Sequence, residues 1–73
     1  MQPDIMIYIS EQIASFATPK LSGHINLTKK YGLQRNYVGR LERRDVKVAG
    51  LSTVLPVIQA LKSEGVSFEQ YGI

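Results

Sequence analysis

Arg35, Asn36, Gly39, Arg40 and Arg43 fall at the i, i+1, i+4, i+5 and i+8 positions of one short segment. Wound into a helix, that spacing gathers them on a single side. Tyr37, Val38 and Leu41 take the other side as an apolar stripe. A helix that is apolar behind and Arg/Asn in front has the chemistry to read base edges in a major groove. An arginine fork matches the two acceptors of guanine, and an asparagine amide matches the donor and acceptor of adenine. Gly39 has two readings: a neutral surface glycine, or a missing side chain that lets the helix approach the bases closely. Either way it costs a helix interior about 1 kcal/mol relative to alanine.

Charge is concentrated around the same segment. Positions 29–47 hold seven of the nine Lys and Arg (Lys29, Lys30, Arg35, Arg40, Arg43, Arg44, Lys47) and only Glu42 and Asp45 among the six acids. The local charge is +5, against −2 for the remainder and +3 for the whole. A basic centre between acidic ends suits a polyanionic partner better than a uniformly solvated surface does.

Composition narrows the alternatives. There is no cysteine and a single histidine, His24. A zinc site would need about four ligands, so no metal or other cofactor is expected. Six scattered acids supply no convergent catalytic set, and no glycine-rich nucleotide loop is present; we expect no enzyme and no small-molecule substrate. No apolar run approaches the roughly 20 residues that span a bilayer, and no signal peptide is evident. A cytoplasmic protein is expected, nucleoid-associated when bound. At 73 residues the chain has room for one domain, 1–73, with one small core.

Four helices should position the polar face. The first is expected over 4–17, capped by Asp4, with Ile5, Ile9, Ile13 and Phe16 inward and Thr18-Pro19 ending it. Ser22 can cap the second, over 23–31, with Leu27, Thr28 and Tyr31 inward. Gly32 supplies the left-handed position that ends it, and the third helix follows over 34–43. After a loop at 45–50, Leu51 or Ser52 starts the fourth. Val54, Leu55, Ile58 and Leu61 face inward there, Pro56 lies in its first turn or just past it, and Ser63-Glu64-Gly65 ends it. Residues 66–73 form either a fifth helical turn or an extended segment. The apolar stretches 6–8 and 66–73 are candidate dimer contacts.

Tyr31-Gly32-Leu33-Gln34-Arg35-Asn36-Tyr37-Val38-Gly39-Arg40-Leu41-Glu42 resembles the helix-turn-helix core of the Cro/C1-type (XRE) DNA-binding family. Leu51 to Leu61, followed by Gly65-Val66-Ser67, resembles that family's closing helix and turn. The similarity covers roughly residues 22–68, with the helix-turn-helix core at 23–43. It implies a compact all-α domain of four to five helices in which Arg35, Asn36, Gly39 and Arg40 face bases. His24 stands where the family usually carries a phosphate-contacting Gln. Arg43, Arg44 and Lys47 stand where phosphate contacts are common, and Lys29 and Gln34 join that set. Glu42 is structural by the same comparison. Thr28, where the family usually has a small Ala, and a longer loop at 44–50 depart from the pattern. The run 42–46 also resembles antitoxin relatives of the superfamily.

The expected function is that of a transcriptional regulator, of phage-repressor or antitoxin kind, binding double-stranded DNA. Repression is its expected mode. A single module buries only about 600–1,000 Å² on DNA, so a homodimer on a palindromic operator is expected. The alternative is a protein-interaction module on the same fold, such as a toxin-neutralising antitoxin. That module would want apolar anchors on the front of the third helix.

Overall fold

The computed structural model describes residues 5–45 and 51–72, with side chains described for 5–45 and 54–72. Asp4, Lys47, most of the 45–50 loop, the Ser52 side chain and Ile73 therefore lie outside what is described. Among the described residues the chain is all-helical: α1 (Ile5–Ala14), α2 (Gly23–Tyr31), α3 (Arg35–Glu42), α4 (Leu51–Ser63) and a single 3-10 turn at Glu69–Tyr71. Among the described residues of the tail, 66–72, there is a helical turn and no strand.

Apolar periodicity sets each buried face. Ile9 and Ile13 of α1, Leu27 of α2, and Val38 and Leu41 of α3 meet Val54, Val57, Ile58, Ala60 and Leu61 of α4 in one core. Phe68 closes that core from the tail. Burying a side chain of this size contributes about 1.5–3 kcal/mol, so with neither a disulfide nor a metal cluster among the described residues these contacts hold the fold. Val57 and Ala60 join Val54, Ile58 and Leu61 because α4 is buried over a broader arc than one i, i+4 row, while Leu55 is only half-buried.

Helix ends follow local chemistry. The α1 helix stops at Ala14, three residues short of the expected limit. Phe16 and Ala17 then donate to Ile13 and Ala14, a tighter i→i−3 pattern that unwinds the chain toward Pro19. Gly32 ends α2 at φ 67°, and its N–H and that of Leu33 both reach the Thr28 carbonyl. The α3 helix ends in two hydrogen bonds to separate carbonyls, the Arg44 N–H donating to Leu41 and the Asp45 N–H to Arg40, with Arg44 at φ 59° where glycine is usual. Pro56 is the sixth residue of α4, further inside than a first-turn proline. It is exposed, so the carbonyl it leaves without a donor can turn toward water.

Tyr8 locks the tail onto α1. Its ring meets Phe68 edge-on and Tyr71 at a tilt, both at 5.3 Å between centroids. The two stretches expected to supply a dimer contact therefore pack on each other. Ile7 is the one large apolar side chain left exposed among the described residues.

Candidate nucleic-acid interface

The exposed side of α3 carries Arg35, Asn36, Arg40 and Arg43, preceded by exposed Gln34 at the N-cap. Behind them Val38 and Leu41 are buried. Lys29 on α2 joins Gln34, Arg35 and Asn36 around an open cleft of about 560 Å³, floored by Thr28 and Leu33. The turn at Gly32 produces this arrangement. By turning the chain within the three residues between the helices, it sets the last turn of α2 beside the first turn of α3.

Arg40 is exposed and leans toward the end of its own helix. Its guanidinium donates to the Asp45 carbonyl at 3.2 Å and lies 3.8 Å from the Asp45 carboxylate. A surface pair of this kind is worth about 0–1 kcal/mol, so it orients Arg40 without withholding it from a stronger acceptor. Arg43 is exposed at the helix end. Arg44 turns back toward α1, 3.7 Å from the Glu11 carboxylate, with its Nε donating to the Ser10 hydroxyl at 3.4 Å. Arg44 is thus partly engaged inside the fold, away from the α3 face.

Gly39 and His24 are placed otherwise than on an open face. Gly39 does not lie on the exposed face: it is buried, and a side chain there would begin 3.1 Å from Cδ2 and 3.2 Å from Nε2 of His24. The missing side chain leaves room for the His24 imidazole and for Arg43 Nη1, 3.3 Å from the same point. The i+4 position relative to Arg35 had rotated far enough toward α2 to be covered by it.

His24, expected among the phosphate contacts, has its Nδ1 engaged inside the fold. Its Nδ1 is 2.6 Å from Oε1 of Glu42 and 3.0 Å from the Ser22 hydroxyl, and both partners of the His24–Glu42 pair are more than four-fifths buried. The Glu42 carboxylate also accepts from the His24 backbone N–H at 3.4 Å. It sits at the start of α2, where the helix dipole favours an anion. Ser22 does occupy the N-cap position, but its hydroxyl goes to the His24 ring and not to a backbone N–H. Glu42 is therefore bonded within the fold, joining the end of α3 to the start of α2.

Ser10 has no counterpart in the sequence reading. It is buried on α1, donates to the Glu42 carbonyl at 2.6 Å, and accepts from Arg44. A serine inside an otherwise apolar helix face was the available signal. Nothing local told that its partner lies 32 residues away.

No family model, curated protein or solved structure matches the chain. No described helix is long and apolar enough to cross a membrane.

Proposed function

We propose that this protein is a sequence-specific double-stranded DNA-binding regulator that acts by occupying an operator. The observation that carries the reading is the split character of α3: Arg35, Asn36, Arg40 and Arg43 are exposed while Val38 and Leu41 are buried. Of these, Arg35, Asn36 and Arg40 supply two-pronged donors and an amide, the groups that discriminate base pairs in a major groove. Lys29, Gln34 and Arg43 flank them and provide phosphate contacts that fix register. Arg44 contributes at most partly, because Glu11 and Ser10 hold it.

A homodimer on a two-fold operator is part of this reading, since one such module covers little DNA. The toxin-neutralising alternative is less favoured, because the described front of α3 offers charges and an amide and no apolar anchor. Selection from a pool of random duplexes tests the proposal. Enrichment of one motif, with two related halves about one helical turn apart, is the expected result. A pool that stays random through successive rounds overturns it.

A further inference from the structure

We infer that His24 is a positioning residue that sets how α3 is presented, acting through a notch formed by Gly39 and Glu42. This inference rests on the reading of α3 as the DNA-contacting helix.

One edge of the imidazole, Cδ2 and Nε2, fills the space that a side chain at position 39 would take. The other edge is held by Glu42 at 2.6 Å, with the Ser22 hydroxyl 3.0 Å away. An ionised carboxylate can only accept, so Nδ1 carries the hydrogen. Gly39 and Glu42 are one turn apart on α3, while Ser22 and His24 belong to the start of α2. The ring is therefore gripped at two points of α3 and anchored on α2. It cannot swing aside to admit a methyl at position 39 without losing its bond to Glu42.

At 3.1–3.2 Å a methyl requires a shift of a few tenths of an ångström. With the ring pinned, α3 takes up that shift, carrying Arg35, Asn36 and Arg40 with it. Two-pronged hydrogen bonds to base edges depend on alignment, whereas attraction to phosphate does not. Gly39→Ala should thus lower specific affinity about tenfold and leave non-specific affinity within about twofold. In a His24→Ala background the pinned ring is gone and only Arg43 Nη1, the far end of a flexible side chain 3.3 Å from the same point, still faces the notch, so the same Gly39→Ala change should cost less than about twofold.

The test is a double-mutant cycle on the full chain, with DNA affinity measured on the selected and a scrambled duplex. Two-dimensional NMR of the same four proteins reads the α2–α3 distances independently. Displacement of α3 by Gly39→Ala that disappears in the double variant, together with the loss confined to specific affinity, supports the inference. An equal effect of Gly39→Ala in both backgrounds, or unchanged α2–α3 distances, overturns it. Failure of the unmodified protein to prefer any duplex brings down the DNA-binding reading instead, while the NMR distances still decide whether His24 places α3.

Discussion

The Tyr8 hydroxyl donates to the Ser67 carbonyl at 2.7 Å, joining positions 59 residues apart. With its ring against Phe68 and Tyr71, Tyr8 couples the first helix to the closing turn. Tyr8→Phe keeps both ring contacts and removes one hydrogen bond, so it should cost about 1 kcal/mol. Phe68→Ala removes a fully buried ring and should cost about 3–5 kcal/mol. Urea unfolding of the two variants checks the ranking.

Gly23 is a point of close helix approach. A side chain there would begin 1.8 Å from the Ile13 carbonyl oxygen, which is backbone and cannot rotate away. The helix-propensity gain from glycine to alanine, about 1 kcal/mol, is outweighed by the need to separate α1 from α2. Gly23→Ala should destabilise by about 2–3 kcal/mol net, read as a lowered midpoint in urea.

Lys30, Tyr31 and Glu64 tie the end of α2 to the end of α4. Lys30 Nζ lies 2.8 Å from Oε2 of Glu64, and the Tyr31 hydroxyl donates to the same oxygen. These two donors hold the Glu64 carboxyl below its ordinary value of 4.5. Its contribution to stability is therefore present above that value and lost as pH falls through the depressed one. The hydrogen bond to Glu64 raises Lys30 above 10.5 and Tyr31 above 10.0. Their contributions are complete below those values and lost as pH rises through the raised ones. Glu64→Gln should flatten the acid arm of the stability profile and shrink the alkaline one, as followed by thermal unfolding across pH.

Arg40 and Lys29 should fail in different ways. Arg40→Ala should cost about 1–3 kcal/mol at one base position and relax the preference there. Lys29→Ala should weaken binding to all duplexes alike and reduce the salt slope by about one unit. An unchanged preferred sequence after Arg40→Ala would place Arg40 off the base-reading face. Binding titrations on single-position duplex variants, repeated across salt, separate the two.

The sequence revealed what local rules decide. The α2 limits, the left-handed Gly32 and the buried Val38 and Leu41 all follow from spacing and turn chemistry over a few residues. What escaped it depends on which elements meet in space. His24 and Glu42 are 18 residues apart, and no periodicity pairs them. Gly39 looked exposed because its neighbours at 36, 40 and 43 are, yet its own direction points at α2. Gly23 reads as an ordinary helix start until the Ile13 carbonyl stands against it. Tyr8 meets Phe68 and Tyr71 of the tail, partners about 60 residues away that no local pattern names.

The most direct test is fluorescence anisotropy with the duplex that selection enriches and with a scrambled duplex, each at low and moderate salt. The account predicts tight binding to the enriched duplex that persists as salt rises, while the scrambled control falls away. Weak, equal binding to both that vanishes with salt would contradict it, leaving a basic surface with no sequence to read.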